Sequence, residues 1–235
     1  MALILEVNMV DRYEINEMGK DESWRMFRIM GEMVAGFDEL SGIGPAVTIY
    51  GSARLSESDP LYGEIVEISG RLAEAGFAII TGGGPGVMEA GNRGAYDAGG
   101  ASVGLNIQLH MEQCLNPYTT KSISFNHFFA RKVMLVKYAI AFVIMPGGWG
   151  TLDELSEVIT LMQTEKIRPF PVIMYKSDYW QGFLDWMEDT VLVRGSISPE
   201  DMELVRVCDD PDEVIETVQS WYLRNEVVGK KVLRG

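Results

Sequence analysis

Cysteine and histidine are scarce in this 235-residue chain, which holds only Cys114, Cys208, His110 and His127. So few and so scattered, they form neither a zinc-ligand pattern nor a disulfide framework, so no metal is expected and the composition suits a reducing cytoplasm. Basic residues are outnumbered, 20 Lys+Arg against 34 Asp+Glu, for a formal charge of −14. Binding a nucleic-acid backbone draws on a basic surface, so no nucleic-acid partner is expected. A small phosphorylated ligand is not excluded, because surface charge is screened beyond about 8 Å while one charge-assisted hydrogen bond contributes roughly 1.5–3 kcal/mol. No stretch approaches the roughly 18 apolar residues of a membrane helix. The start, Met1 to Val7, lacks the basic lead and long apolar core of a secretory signal. A cytoplasmic location with no membrane contact is therefore expected.

Two nucleotide signatures are missing as well. No G-x-x-x-x-G-K-[ST] run exists, which argues against a P-loop triphosphatase. The dinucleotide fingerprint G-x-G-x-x-G fails after the first predicted strand, where only Gly51 stands, and after the second, where Val87 takes the place of the third glycine. NAD and FAD are thereby disfavoured, and no cofactor is expected. Linkers rich in Pro, Gly or Ser are absent too. The chain reads as one domain over 46–225, with a helical extension at 1–45 and a tail at 226–235.

What is present is an alternation of apolar strands and amphipathic helices. Strands are predicted at 46–50, 77–81, 101–105, 139–145 and 171–175, with a short one at 204–207. Helices are predicted at 22–40, from Pro60 (capped by Asp59) to near Gly76, then at 87–98, 128–138, 151–164, 179–192 and from Pro211 to about Asn225. Such β-then-α alternation argues for an α/β fold with a mostly parallel sheet flanked by helices. In the first helix Trp24, Phe27, Met30, Val34 and Phe37 form one apolar face, which packs on the domain or on a partner subunit.

In open parallel sheets ligands bind beyond the carboxyl ends of the strands. The unusual residues lie there: Ser52 and Arg54 after the first strand, Thr81-Gly82-Gly83-Gly84-Pro85-Gly86 after the second, Asn106 after the third, and Pro146-Gly147-Gly148-Trp149-Gly150-Thr151 after 139–145. Glycine lets the backbone approach a ligand closely, and a helix beginning near Thr151 offers unpaired N–H groups and a positive dipole end to an anion. A nucleoside monophosphate or sugar phosphate fits such a cradle.

Candidates for chemistry are Glu154, Asp153, Glu89, Arg131 and Lys132. Thr151-x-x-Glu154 also reads as a capping box, whose hydroxyl and carboxylate satisfy backbone N–H groups. Glu89 also reads as a favourable acid in a first helical turn, and Arg131-Lys132 as a solvated basic pair. A guanidinium at 131 facing the pocket would instead fork onto a phosphate or orient a leaving group.

Pro146-Gly147-Gly148-Trp149-Gly150-Thr151-Leu152-Asp153-Glu154 resembles the P-G-G-x-G-T-x-x-E motif of the LOG (Lonely Guy) family of phosphoribohydrolases. Arg131-Lys132 resembles that family's Arg-Lys pair, and the 81–90 segment its glycine-rich nucleotide loop. The likeness covers about 46–220. It implies a Rossmann-like, doubly wound fold, an oligomer built on dimers and hydrolysis of the N-glycosidic bond of a nucleoside 5'-monophosphate, AMP or a cytokinin riboside monophosphate. Glu154 and Arg131 would then be catalytic. Gly147, Gly148, Gly150 and Thr151 would receive the phosphate, with Gly83, Gly84, Gly86, Ser52, Arg54, Asn106 and Lys132 around the substrate and Glu89 on the ribose. His110 stands where the family would carry a proline, which bears on a lid and leaves the motif untouched. Family members often carry the label lysine decarboxylase, but no lysine here is marked for a Schiff base with pyridoxal phosphate. A non-hydrolysing carrier of a nucleotide or of molybdopterin is the alternative, and retention of Glu154 with Arg131 favours the enzyme.

Overall fold

The computed structural model describes residues 22–108 and 115–232. His110, Cys114 and residues 1–21 of the N-terminal extension lie outside them. Seven strands form one sheet in the order β4-β3-β2-β1-β5-β6-β7, with every neighbouring pair parallel. They are β1 (Ala46–Tyr50), β2 (Ala78–Thr81), β3 (Ser102–Ile107), β4 (Lys121–Phe125), β5 (Ala139–Ile144), β6 (Val172–Tyr175) and β7 (Arg206–Cys208). The chain walks outward from β1 to β4, then returns to lay β5 on the other side of β1, so strand order reverses between β1 and β5. A doubly wound fold opens its crevice at that reversal.

The expected Rossmann-like α/β architecture is thus what the chain adopts. One strand was not expected, β4. Its sequence Lys-Ser-Ile-Ser-Phe alternates, and only the last residue is fully buried. An edge strand with one wet face lacks the continuous apolar run that marks the central strands.

Helices cover both faces. On one side α1 (Glu22–Leu40), α4 (Phe128–Lys137), α5 (Trp149–Gln163) and α6 (Ser177–Trp186) pack Leu40, Met134, Leu155, Val158 and Trp180 against Tyr50, Ile80 and Phe142. On the other, α2 (Pro60–Glu74), α3 (Val87–Asp97) and α7 (Pro211–Val232) pack Ile65, Ile68, Val87 and Val218 against Val47, Ile49 and Val143. The alternation of these strand residues between the two faces is the period of two that a sheet imposes. Asp59 caps α2 by accepting from Leu61 N at 2.9 Å, with Pro60 at the first turn as expected.

The helix after β6 and the last helix depart from their expected bounds. The helix after β6 starts at Ser177 and widens into a π-helix over Met187–Leu192. The last helix continues past Asn225 to Val232. In α1, four residues of the apolar stripe, Trp24, Phe27, Met30 and Val34, are more than half exposed, while the fifth, Phe37, packs on the domain. The helix is held through Met33, Gly36, Phe37 and Leu40, and through Glu32, whose carboxylate accepts from the backbone and side chain of Asn126 and from His127 N. Burial would raise the pKa of Glu32, but these hydrogen bonds outweigh it and lower it.

Candidate active site

Three loops meet over the β1/β5 reversal and are tied by backbone. Ser52 N donates to Pro146 O at 3.0 Å, and Ser52 O accepts from Val87 N at 3.0 Å. Ser52 is therefore the knot between the first strand's loop, the 81–87 turn and the 146–151 turn; its hydroxyl accepts from Arg54 N at 3.1 Å. Close approach explains the glycine at 86, which has φ +68 and would drive a β-carbon to 2.5 Å from Ser52 O. Arg54 is exposed and has no carboxylate within ion-pair distance among the described residues, so its guanidinium is available to an anion at the crevice.

The glycine turn after β5 leads into a helix as predicted, with a shifted start. Helix α5 begins at Trp149 with Gly148 as its N-cap, two residues before the predicted start, and the cap carries no side-chain hydrogen bond. Among the described residues the N–H groups of Gly148, Trp149, Gly150 and Thr151 find no acceptor, as the first turn of a helix leaves them. Space outside Gly148 and Gly150 is open: a β-carbon at either would meet nothing within 4 Å. Internal packing therefore does not demand glycine there, whereas close approach of a bound group would. Thr151 is only 5% exposed, and its hydroxyl has no hydrogen bond to the described residues.

Glu154 does not cap. As the sixth residue of α5 it lies too far along the helix to reach back to the N-cap N–H, a task for the third residue. Its Oε1 instead accepts from Arg131 Nη1 at 3.2 Å, and Arg131 Nε donates to Leu105 O at 2.7 Å. Arg131 is 9% exposed and its Nη2 lies against Gly82, where any β-carbon would overlap it. The guanidinium thus bridges β3, the triple-glycine loop and α5. Burial raises the Glu154 pKa from 4.5 to about 7; the Arg131 charge opposes that rise without cancelling it. Glu154 also raises the pKa of Tyr50, whose burial beneath the site is the larger cause.

Lys132 turns the other way. Its Nζ pairs with Asp153 Oδ2 at 2.9 Å and Glu157 Oε2 at 3.2 Å, tying α4 to α5. Burial would lower the Lys132 pKa, but those two carboxylates raise it. The structure thus gives Lys132 a helix-pairing role, with its ammonium already held by two acids. Glu89 accepts from Tyr62 OH at 3.1 Å on α2, which leaves its second oxygen for a ligand. Asn106, 9% exposed at the end of β3, turns its amide oxygen onto Ile107 N at 2.9 Å.

Residues that the sequence reading missed hold the loops in place. Asn92 accepts from Thr81 Oγ1 at 2.6 Å and Asn116 Nδ2 at 2.9 Å, and donates to Ser102 Oγ at 2.9 Å. Asn116 also donates to Gly84 O at 3.0 Å, and Gly83 N to Thr81 Oγ1 at 3.0 Å. This buried network sets the conformation of 82–84. Tyr179 on α6 donates its hydroxyl to Gly147 O at 2.7 Å. Only its place, just beyond the end of β6, signals it in the sequence.

A doubly wound α/β protein with a carboxylate–guanidinium pair beside an unoccupied-donor cradle at the strand reversal is the class that this fold and site define. The chain belongs to the LOG family: the profile described as "possible lysine decarboxylase" matches residues 88–218, more than half of it. Cytokinin riboside 5'-monophosphate phosphoribohydrolase LOG3 of Arabidopsis thaliana is 28% identical over 170 residues, covering 71% of this chain and 78% of its own. The cytokinin riboside 5'-monophosphate phosphoribohydrolase of Rhodococcoides fascians is 27% identical over 163 residues, covering 68% of this chain and 82% of its own. Among solved structures, the molybdenum cofactor binding protein of Rippkaea orientalis superposes with a TM-score of 0.55 at 21% identity, covering 75% of this chain and 96% of that one. The Moco carrier protein of Chlamydomonas reinhardtii gives 0.55 at 20% identity, covering 77% and 99%. At such identities the superpositions speak for the fold. No helix among the described residues is long and apolar enough to cross a membrane, and those residues contain no cluster of three or more His, Cys, Asp and Glu placed to hold a metal ion.

Proposed function

We propose that this protein hydrolyses the N-glycosidic bond of a nucleoside 5'-monophosphate, AMP or a cytokinin riboside monophosphate, releasing the free base and ribose 5-phosphate. The observation that carries the reading is the Arg131–Glu154 pair beside the N-terminus of α5: the carboxylate is released from capping and held by a guanidinium that also touches the triple-glycine loop. The N–H groups of 148–151 and the Thr151 hydroxyl receive the phosphate, with Arg54 as an exposed counter-charge. The ribose lies toward Glu89 and the anomeric carbon toward Glu154. As the bond from that carbon to the base nitrogen breaks, its electron pair leaves with the base and positive charge grows on the sugar. The Glu154 carboxylate stabilises that charge and takes a proton from the attacking water, whose oxygen bonds to the anomeric carbon. The proton ends on the departing base, which Arg131 orients. The names of the Arabidopsis and Rhodococcoides relatives support this reaction. A Schiff base on Lys132, as a pyridoxal phosphate-dependent decarboxylation would need, is disfavoured because two carboxylates hold its ammonium.

Purified protein incubated with AMP, the other nucleoside monophosphates and isopentenyl-AMP is expected to release free base and ribose 5-phosphate from at least one. Tight binding of a monophosphate or of molybdopterin with no cleavage of any would replace this reading by that of a carrier.

The reading includes a homo-oligomer in the cytoplasm. Trp24, Phe27, Met30 and Val34 on α1 and Phe128, Phe129 and Val133 on the neighbouring α4 are exposed together, and surfaces of this kind are covered by association. Light scattering is expected to give at least twice the single-chain mass for the wild type, and the single-chain mass for Phe27→Glu/Phe129→Glu. A monomeric wild type refutes the assembly.

A further inference from the structure

Tyr179 stands outside the motif that defines the cradle, yet it makes the one side-chain hydrogen bond to residues 146–151 among the described residues, from its hydroxyl to Gly147 O at 2.7 Å. The chain has no cis peptide bond among the described residues. In a trans peptide the C=O of one residue and the N–H of the next point in opposite directions. Drawing the Gly147 carbonyl toward α6 therefore turns the Gly148 N–H the other way, and that N–H has no acceptor among the described residues. Gly147 is buried and pressed against Thr151 and Ser52 N, so its peptide plane is the joint between β5 and the first turn of α5. Tyr179 is itself firmly set. Its N–H donates to Asp178 Oδ1 at 2.9 Å and its ring meets Trp180 edge-on at 5.0 Å. The turn into α6 is made by Lys176, a non-glycine residue at φ +78, with Lys176 N on Cys208 O at 2.9 Å and Ser177 N on Asp209 Oδ1 at 2.7 Å. The strained turn thereby places a tyrosine from the β6 loop against a backbone carbonyl of the β5 loop.

We infer that Tyr179 is a positioning residue for phosphate recognition: by fixing the Gly147–Gly148 peptide it aims the Gly148 N–H at the phosphate of the substrate. This rests on the nucleotide reading above. The ring is half exposed, at 50%, so removal of the hydroxyl disturbs little packing.

The test compares wild type, Tyr179→Phe, and a variant with 4-aminophenylalanine at 179, which restores a donor on the same ring. Three quantities are read: binding of inorganic phosphate by 31P NMR titration, KM and kcat for AMP, and binding of adenosine, which lacks the phosphate. Tyr179→Phe is expected to weaken phosphate binding and raise KM about tenfold, the factor that 1.4 kcal/mol corresponds to. Its kcat, adenosine binding and thermal midpoint are expected to stay near wild type, and the amino variant to recover most of the phosphate affinity. Unchanged phosphate binding in Tyr179→Phe overturns the inference, as does a parallel loss of adenosine binding and thermal stability. A wild type that binds phosphate but cleaves no monophosphate refutes hydrolysis alone, and the phosphate titration still decides on Tyr179. Absence of phosphate binding by the wild type overturns both.

Discussion

Glu154→Gln is expected to lower kcat for nucleoside monophosphate hydrolysis by about 10³-fold while leaving phosphate affinity near wild type. Glutamine keeps the shape and can still accept from Arg131, but it can neither carry the negative charge that meets the developing cation nor take a proton from water. General-base help of this kind is typically worth about 10²–10⁴-fold, and pre-aimed charge a comparable factor. With a pKa near 7, the wild-type carboxylate is half ionised at neutral pH. The rate is therefore expected to rise from pH 5 to pH 8 with a midpoint near 7, and the residual rate of Glu154→Gln to lose that limb. Stability moves the opposite way. Between 4.5 and about 7 the folded protein holds a proton that the unfolded chain has released, so stability falls as pH rises through that window and stays low above it. A rise of this size corresponds to about 3 kcal/mol. Glu154→Gln is expected to melt higher than wild type at pH 8 and to differ little at pH 4.5. Denaturation at the two pH values checks this, and a variant that is less stable at both would show that burial does not burden the carboxylate.

Gly147→Ala is the second large effect. An added methyl would overlap Thr151 Oγ1 and stand 2.8 Å from Thr151 Cβ and 3.0 Å from Ser52 N. No rotamer change of Thr151 relieves the contact with its Cβ, and Ser52 N is backbone held by Pro146 O. The start of α5 must move away from the β1 loop. Overpacking of this kind costs about 1–3 kcal/mol, and the same displacement spoils the cradle. Expected results are a lower thermal midpoint and a KM for AMP at least about tenfold higher. Gly148→Ala is the control: its β-carbon meets nothing within 4 Å, so it is expected to keep wild-type stability and lose affinity for the phosphorylated ligand. Equal behaviour of the two variants would refute the division between internal packing and ligand approach.

Much of the fold was legible because its signals are local. Six of the strands are apolar runs or a short β-branched stretch, and the Asp59-Pro60 start of α2 announces itself in two residues. The alternating edge strand β4 was not legible, since a half-wet strand of five residues has no apolar run. The apolar stripe of α1 was legible as a stripe and not as to direction. Periodicity marks a face without saying what covers it, and here Glu32 and the helix's C-terminal half make the attachment to the domain.

For the site, the sequence by itself determined the glycine turns, the strand–turn–helix units that carry them, and the end of the sheet on which they gather, because turn chemistry and strand polarity are properties of neighbouring residues. Tertiary structure alone decided what Glu154 does. In sequence it lies three residues after a threonine and reads as half of a capping box. Folding starts α5 at Trp149 and brings up Arg131 from 23 residues away, so the carboxylate leaves the backbone for a guanidinium. It likewise sent Lys132 to Asp153 and Glu157, and brought Tyr179 from 32 residues away onto Gly147. A side chain's partner depends on which helices share a face of the sheet, and that is settled by packing across the β1/β5 reversal, far from each residue's own neighbours.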